Sequence, residues 1–392
     1  MTFGRSSRWV GAPLVLLMLW TAGVASAMPA RQGDWRQPRF DSGRSGSNSA
    51  ETTLSPFRAR HLRRIWKFET PQPVVGAPSV VGHRIFLASQ TMHETGAVRS
   101  LDVSNGRSIW SRDLPCPIGP LTMVQGVLVT GDDCLDATDA STIVGLRPFD
   151  GRTLWSADGI ADSSAVQHRS LFGVVPRQTD FGEDGAVVRY DPSTGERIWS
   201  FGGHRAGHDF FGTAIVHRRV YVTGRYDTLY ELGARSGKLH WSLSDAGTTA
   251  PIIVDGVAYV SDLQQLRAID LSSRTVRWTV PISAAAQIAV ADGRVFVNEQ
   301  SGLEAFDASS GQLLWNRARR SPYTGVSVAD GVVYADRRAG GRPVVGVFAA
   351  TTGAVLHHPV PGYGAIVSSG RVFVWGSEGI RAYTCGACAA RG

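Results

Sequence analysis

Tryptophan recurs along this chain at nearly constant intervals, usually a few residues after a turn-forming segment. Six segments end in this way: LDVSNGRSIW at Trp110, PFDGRTLW at Trp155, DPSTGERIW at Trp199, GARSGKLHW at Trp241, DLSSRTVRW at Trp278 and DASSGQLLW at Trp315. A seventh, AATTGAVLH, has His357 at the tryptophan position, and Trp66 in LRRIW fits the same position without a preceding turn. The eight positions are separated by 44, 45, 44, 42, 37, 37 and 42 residues. This spacing is typical of a propeller blade of four short strands.

A second repeat gives the same count independently. Hairpin-turn residues followed by a β-branched and aromatic run occur eight times, in VVGHRIFLAS, VQGVLVTGD, QHRSLFGVV, VHRRVYVTG, VDGVAYVSD, ADGRVFVNE, ADGVVYADR and SSGRVFVWG. The two repeats alternate, so each blade is expected to contain an inner strand, two further strands and an outer strand that carries the tryptophan. We therefore predict an all-β fold, an eight-bladed propeller of four-stranded blades.

The last predicted blade lacks an outer strand. Its first three strands are expected around Ala365, Val372 and Ala382, and no fourth strand follows them. The strand around Trp66 has no blade of its own. We expect this N-terminal strand to complete the last blade, which removes an open sheet edge that would otherwise favour aggregation.

The first 27 residues have the features of a secretory signal peptide. Arg5 and Arg8 precede an apolar core from Pro13 to Ala25, and small residues end the segment at Ala27. The mature protein is expected to be secreted, extracellular or periplasmic if the host has an outer membrane, with no transmembrane segment. The predicted divisions are a signal peptide 1–27, an N-terminal lead segment 28–53, an eight-bladed propeller 54–388 and a tail 389–392.

The positive charge of the chain does not indicate a nucleic-acid partner. The formal net charge is +7, and all but two of its 40 basic residues are arginines, the exceptions being Lys67 and Lys238. The arginines are scattered in short groups, whereas a nucleic-acid surface concentrates them on one face. We expect no nucleic-acid partner and a monomeric protein.

The repeated turn has a structural interpretation, as the segment DASSGQLLW shows. Asp307 can accept backbone N–H groups across the turn, Gly311 can adopt a positive φ, and Trp315 offers a large ring to pack between blades. Four of the seven turns have aspartate at this position and six have the glycine, with Arg274 as the exception. The residues expected to dock between blades in this way are Trp66, Trp110, Trp155, Trp199, Trp241, Trp278 and Trp315.

The pattern Asp-x-x-x-Gly-x-x-x-Trp, repeated about every 40 residues, resembles the tryptophan-docking repeat of PQQ-type β-propellers. That superfamily includes the pyrroloquinoline-quinone alcohol dehydrogenases and the propeller lipoprotein of the outer-membrane barrel-assembly machinery. The segment from Asp34-Trp35 through ETTLSPFRARHLRRIW also resembles the approach to the first blade in the dehydrogenases. The resemblance extends from about Trp35 to Cys385. It implies the fold, and it does not imply one activity, because one propeller supports many functions.

Several departures from the dehydrogenase pattern weigh against an enzyme. The dehydrogenases carry a disulfide between adjacent cysteines, and this sequence has no Cys-Cys pair. The motif Cys385-Gly-Ala-Cys388 is followed by Ala389 rather than the histidine of a haem-attachment site. No calcium-binding acids and no catalytic residue can be assigned from the resemblance. We therefore expect no cofactor, with PQQ and Ca²⁺ as the alternative.

Two groups of polar residues are candidate metal sites. One is an acidic loop in the second blade, whose oxygen ligands suit calcium, with Asp132, Asp133, Asp136 and Asp139. The other lies between the third and fourth blades, where the residue types suit a transition metal, with His204, His208 and Asp209. Solvated acidic loops are commoner than calcium sites, and a loop does not hold two histidines on one face. A purely structural interpretation is favoured for both.

The four cysteines fit an exported protein. Cys116 and Cys134 stand almost opposite each other across a hairpin turn at Gln125-Gly126, which predicts a cross-strand disulfide. Cys385 and Cys388 could form a small terminal ring or a redox pair. Because no thioredoxin-like βαβ pattern surrounds them, the structural interpretation is preferred.

These features favour a binding or scaffold module that presents the mouth of its channel to a protein or another ligand. A PQQ-dependent oxidoreductase, that is, a quinoprotein dehydrogenase, is the first alternative. A propeller that binds a carbohydrate or a small ligand is the second. The sequence assigns no catalytic or cofactor-binding residue.

Overall fold

The structure is a computed structural model that describes residues 31–91, 96–114, 117–132, 142–158, 165–167, 169–175, 185–202, 210–224, 226–283, 287–299, 301–318 and 325–386. Within these ranges the chain is almost entirely β-strand. Before the first blade lie β1 (Ser47–Asn48), the helix α1 (Pro56–Ala59) and β2 (Leu62–Phe68). No described helix is long and apolar enough to cross a membrane.

The remaining strands follow in groups, one blade after another. Blades 1 to 3 contain β3 (Val74–Val81), β4 (Arg84–Ser89), β5 (Gly96–Asp102), β6 (Ser108–Leu114), β7 (Pro117–Val124), β8 (Val127–Asp132), β9 (Thr142–Leu146), β10 (Thr153–Asp158), β11 (Ala165–Gln167), β12 (Ser170–Val175), β13 (Ala186–Tyr190) and β14 (Arg197–Gly202). Blades 4 to 6 contain β15 (Phe210–Val216), β16 (Arg219–Gly224), β17 (Thr228–Gly233), β18 (Leu239–Leu243), β19 (Ile252–Val254), β20 (Val257–Ser261), β21 (Gln265–Asp270), β22 (Thr275–Pro281), β23 (Gln287–Ala291), β24 (Arg294–Glu299), β25 (Gly302–Asp307) and β26 (Leu313–Ala318). Blades 7 and 8 contain β27 (Val326–Ala329), β28 (Val332–Ala339), β29 (Arg342–Ala349), β30 (Val355–Pro361), β31 (Gly364–Ser368), β32 (Arg371–Gly376) and β33 (Gly379–Cys385).

Each blade is one sheet, so the predicted eight-bladed propeller is confirmed. The strands of a blade pair in chain order and run antiparallel. The seventh blade gains a fifth strand, because β1 pairs in parallel with its inner strand β27. The buried apolar residues form eight clusters, each shared by two neighbouring blades. The core therefore lies between the blades.

The N-terminal strand β2 closes the ring, as the sequence predicts. It is the outer strand of the eighth blade and pairs antiparallel with β33. The register runs from Leu62 opposite Cys385 to Phe68 opposite Ile380. This pairing covers a sheet edge that would otherwise be open, and it joins the two ends of the chain through backbone hydrogen bonds.

A β-bulge precedes the tryptophan position in every blade. In the eighth blade, for example, the register of β2 shifts between Arg64 and Trp66, and in the sixth it shifts beside Trp315. The same irregularity occurs in the outer pair of the other six blades. Because a bulge re-aims the side chains that follow it, the repeat directs one large ring from each blade toward the next blade.

The rings lie against the turn of the following blade. A Cβ added to Gly353, which has a φ of +65°, would be only 2.7 Å from the ring of Trp315. The indole N–H of Trp315 donates to the carbonyl of Ala350, at 3.0 Å. Five other indoles donate in the same way, from Trp66 to Val103, Trp110 to Pro148, Trp155 to Pro192, Trp199 to Ala234 and Trp278 to Ala308. Glycine is needed in the turn because the ring occupies the space of a side chain.

Candidate functional site

The two mouths of the channel are built from different connections. At the lower mouth, hairpin turns such as Asp255-Gly256 and Asp292-Gly293 join the inner strand of a blade to its second strand. At the upper mouth, each blade has the turn between its second and third strands, and the connection to the next blade. A ligand or partner that approaches along the axis meets one of these two surfaces.

The lead segment occupies the lower mouth. Between Trp35 and Asn48 it contacts the inner strand of every blade, and the blades are reached in chain order. In six blades, backbone carbonyls of the segment accept hydrogen bonds from inner-strand N–H groups. The pairs, with the carbonyl named first, are Trp35 and Val80 (2.7 Å), Arg36 and Met123 (2.7 Å), Ser42 and Ile215 (2.6 Å), Gly43 and Ile253 (2.7 Å), Ser45 and Val290 (2.8 Å), and Gly46 and Val328 (3.0 Å). The eight inner strands are thereby tied together by one segment.

Side chains of the same segment serve the remaining two blades. The amide of Gln37 accepts from the N–H of Val166 at 2.6 Å and donates to its carbonyl at 3.3 Å. The buried amide of Asn48 donates to Val367, at 2.7 Å, and to Gly33 of the lead segment itself, at 2.9 Å. These amides satisfy inner-strand groups that have no partner strand on the axial side.

Arg39 places a positive charge inside the lower mouth. Its guanidinium donates to the carbonyls of Val326 (2.8 Å) and Ile288, and to the side-chain oxygen of Gln287 (3.1 Å), which belong to blades 6 and 7. Burial and, to a smaller extent, the nearby charge of Arg44 lower the pKa of Arg39 to about 9, and the charge of Asp41 acts to raise it. A cation held in this way braces two blades, and the lower mouth is blocked by it and by the segment that carries it.

The upper mouth carries exposed apolar side chains on neighbouring blades. Tyr226, in the turn between β16 and β17, is 71% exposed, and Leu263, in the equivalent turn of blade 5, is 68% exposed. The turn of Tyr226 is fixed, because the carbonyl of Asp227 accepts from the N–H of Ala246, at 2.6 Å. The turn of Leu263 is held by Asp262, whose carboxylate accepts from two backbone N–H groups and from Arg267. Ordered turns thus present these side chains to solvent.

The metal sites predicted from the sequence fall almost wholly outside the described residues. The structure does not describe Asp133, Asp136 and Asp139 of the acidic loop. It also does not describe His204, His208 and Asp209. Asp132 ends β8, and of its side chain nothing is described. Among the described residues, no three His, Cys, Asp or Glu side chains come together in a way that could hold a metal ion. Both metal sites stay predictions.

The cysteine predictions also stay open. Cys116, Cys134 and Cys388 lie outside the described residues. Cys385 ends β33 and is buried, and no cysteine in the described part of the chain is free.

One buried acid was not found by sequence reasoning. Asp336, in β28, accepts from the side-chain amide of Asn298 at 3.0 Å. Burial raises the pKa of Asp336 to about 7, although hydrogen bonds from Gly325 and Asn298 act to lower it. The register of the blades supplies the signal that could have found it. The corresponding position is neutral in the two preceding blades, Ser261 and Asn298, so an acid there interrupts the repeat.

The sequence matches the profile of one protein family over most of its length. The family is described as outer membrane protein assembly factor BamB, and the matched residues are 18–170, 183–287 and 262–379. No curated protein sequence matches the chain.

Solved structures with the same fold include two kinds of natural protein. BamB from Moraxella catarrhalis superposes with a TM-score of 0.62 at 14% identity, covering 82% of this chain and 99% of that one. Quinohemoprotein alcohol dehydrogenase from Comamonas testosteroni gives a TM-score of 0.69 at 14% identity, covering 93% and 82%. A europium-containing methanol dehydrogenase gives a TM-score of 0.72 at 13% identity, covering 90% of this chain and 98% of that one. At these identities the likeness concerns the fold alone, a PQQ-like β-propeller.

Proposed function

Because this chain belongs to the family described as outer membrane protein assembly factor BamB, we propose that it is an exported binding or scaffold module that presents its upper mouth to a protein partner. The observation that carries the proposal is the difference between the two mouths. The lower mouth is occupied by the lead segment from Trp35 to Asn48. The upper mouth has exposed apolar side chains on ordered turns, at Tyr226 and Leu263.

Exposed apolar residues on adjacent blades suit a protein interface. Tyrosine is enriched in such interfaces because it combines a large apolar ring with a polar end. The turns that carry Tyr226 and Leu263 are held by backbone hydrogen bonds, so little conformational entropy would be lost when a partner binds. A protein partner with an apolar patch matches this surface better than a sugar does.

Export is part of the proposal. The segment from Met1 to Ala27 has the features of a signal peptide, and an exported binding module fits a family named for outer-membrane assembly. A fusion of residues 1–40 to a reporter that is active only outside the cytoplasm should be active. The same fusion with both Arg5 and Arg8 replaced by glutamine should have lower reporter activity. An inactive fusion would contradict export.

The proposal includes no quinone cofactor. A quinone dehydrogenase needs a cation beside the quinone and a base for the alcohol proton. The described residues bring together no group of three His, Cys, Asp or Glu side chains that could hold the cation. Purified protein mixed with PQQ and Ca²⁺ should show neither stoichiometric PQQ binding nor alcohol-dependent dye reduction. If both occur, the oxidoreductase alternative is right.

Site-specific photo-crosslinking tests the proposed surface directly. A photoreactive phenylalanine analogue replaces Tyr226 or Leu263 in cells of the organism that makes the protein, and cross-linked products are identified by mass spectrometry. Phe149 is the matched control, because it is 72% exposed but lies on the opposite face of the propeller, in the turn between β9 and β10. We expect one discrete protein product from positions 226 and 263 and none from 149. Equal products from all three positions, or none from the upper mouth, would refute the proposal.

A further inference from the structure

A cavity of about 420 Å³ lies between blades 6 and 7. Its apolar wall is formed by Leu303 from blade 6 and by Phe348, Val355 and Pro359 from blade 7. This volume is within the range that holds small ligands, and such sites are usually apolar with a few polar groups. Its lining residues come from the second, third and outer strands of the two blades and not from their inner strands, so the cavity lies off the propeller axis.

The amino-acid sequence of blade 7 explains why the cavity exists. In its outer pair, Val345 is opposite Val360 and Val347 is opposite His357, so two residues of β30 stand opposite Gly346 alone. This register shift is additional to the bulge that all blades share. One of the two residues opposite Gly346 is Pro359, which cannot donate to the sheet.

Gly346 opens the same region from the other strand. A Cβ at this position would be 2.5 Å from the ring of Phe348, so the ring covers a space that other residues fill with their own side chains. By register, the residue of blade 6 that corresponds to Gly346 is Glu304. A glycine, a proline and a bulge at one place are conspicuous in a repeat that is otherwise regular.

Polar groups converge on the same cavity from both blades. The amide of Asn298 donates to the carbonyl of Gly325 at 2.9 Å and to the carboxyl of Asp336 at 3.0 Å. The guanidinium of Arg317 is anchored through its Nε, which donates to the carbonyl of Gly353 at 2.6 Å. No described residue accepts from its two terminal nitrogens, which therefore remain available to a ligand.

The charges that line the cavity favour an anion. Arg317 and Arg337 are both in the wall, against the single carboxyl of Asp336, which is buried and hydrogen-bonded. The carboxylate of Glu304 lies nearby but accepts from Asn316 at 2.5 Å. Guanidinium groups bind carboxylates through two parallel hydrogen bonds, which are among the stronger polar contacts in proteins.

We propose that this inter-blade cavity binds a small amphipathic carboxylate, with its acidic group on Arg317 and its apolar part against Phe348 and Pro359. The aromatic ring and the proline offer flat apolar surfaces, and the guanidinium offers the charge. A ligand with only one of these two parts would use half of the site.

Calorimetric titration at one pH compares two compounds of the same shape, 2-naphthylacetate and 2-naphthylacetamide. A charge-assisted contact is worth about 1.5 to 3 kcal/mol, and 1.4 kcal/mol is tenfold in affinity. We therefore expect the carboxylate to bind at least about tenfold more tightly than the amide. The variant Arg317→Gln should reduce the two affinities to the same value, whereas Arg342→Gln, an exposed arginine outside the cavity wall, should change neither.

A pair of charge variants at the rim keeps the test independent of folding defects. Val355 lines the cavity and is 61% exposed, so either substitution leaves the core intact. Val355→Glu should bind the carboxylate more weakly than Val355→Lys, whereas the two variants should bind the amide equally. Equal binding of the two compounds, no effect of the Arg317 variant, or no binding at all would overturn the proposal. None of these outcomes bears on the partner surface at the upper mouth.

Discussion

The indole N–H of Trp241 donates to the carboxylate of Glu231 in its own blade, at 2.8 Å. Six other docking tryptophans donate to a carbonyl of the next blade. The difference coincides with Arg274, which replaces the glycine of the next turn and keeps its positive φ of 60°. A side chain there excludes the usual ring position, and the guanidinium lies 5.6 Å from the Trp241 ring centre. The hydroxyl of Tyr221 also donates to Glu231, so this interface has a buried polar cluster.

Arg274→Gly and Arg274→Ala should therefore differ in stability. Both variants lose the cation–π contact, worth about 0.5 to 1 kcal/mol at an exposed site. Only glycine relieves the positive φ, which costs other residues about 1 to 2 kcal/mol. We expect the alanine variant to melt below the wild type and the glycine variant close to it, by calorimetry. Equal melting temperatures for the two variants would mean that the backbone at position 274 is not strained.

Trp315→Ala should remove one of the regular inter-blade contacts. Truncation of a fully buried tryptophan costs about 3 to 5 kcal/mol. Trp315 is partly buried, so the free energy of unfolding in urea should fall by up to that amount. Leu314→Ala is the control, because Leu314 is 43% exposed and should cost far less. Gly353→Ala should also destabilise, since its Cβ would meet the Trp315 ring. Similar values for Trp315→Ala and Leu314→Ala would contradict the docking interpretation.

Asp336 should make stability depend on pH. Its pKa is about 7 in the folded protein, against the 3.8 that is ordinary for an aspartate, so the folded state binds the proton more tightly. The free energy of unfolding should then fall as the pH rises from about 4 to 7, by at most about 1.4 kcal/mol per pH unit for one group. Asp336→Asn should remove this slope and be more stable than the wild type at pH 8. Urea titrations of both proteins at pH 4, 6 and 8 measure the free energy of unfolding and its dependence on pH.

Asp307→Asn is the control with the opposite sign. Hydrogen bonds from Ser309 and Ser310 lower the pKa of Asp307 to about 2. The stabilisation by the ionised Asp307 is present above pH 4 and is lost as the pH falls toward 2. Asp307→Asn should therefore be less stable than the wild type at pH 8. If the free energy of unfolding of Asp336→Asn depends on pH as that of the wild type does, another group causes the dependence.

Asn48→Ala should loosen the lead segment. The change removes the side-chain donor of the buried Val367 carbonyl, whereas the carbonyl of Gly33 keeps the hydroxyl of Ser368, and a buried group that loses its donor costs about 1 to 3 kcal/mol. We expect a lower melting temperature and faster trypsin cleavage after Arg39 and Arg44. Asn105→Ala, in an exposed turn, should change neither. Unchanged cleavage in Asn48→Ala would mean that the segment is held without this amide.

Cys116 and Cys134 should be linked in the exported protein. The hairpin of β7 and β8 pairs Pro117 with Asp132, and the two cysteines are close to these residues in the sequence. Mass spectrometry of non-reduced peptides should find this link. Free thiols at both positions, or a link to Cys385 or Cys388, would contradict the pairing.

The sequence was sufficient for the propeller because the information is local and repeated. Each turn and its tryptophan specify one blade, and the interval of 37 to 45 residues specifies four strands. The orphan strand at Trp66 even predicted how the ring closes. A channel mouth was predicted as the binding surface, but the sequence did not indicate which mouth or the exposed residues Tyr226 and Leu263.

The remaining features depend on contacts between residues far apart in the chain. The lead segment makes its bonds through backbone groups, and a sequence pattern does not record which inner strand will accept them. Arg39 meets Val326 and Ile288, roughly 250 or more residues away, only when all eight blades are in place. The cavity beside Asp336 likewise needs Gly346, Pro359 and Arg317 from three strands. Periodicity therefore determined the blades, whereas closure of the ring decided which side chains line the lower mouth and the cavity, because those neighbours come from different blades.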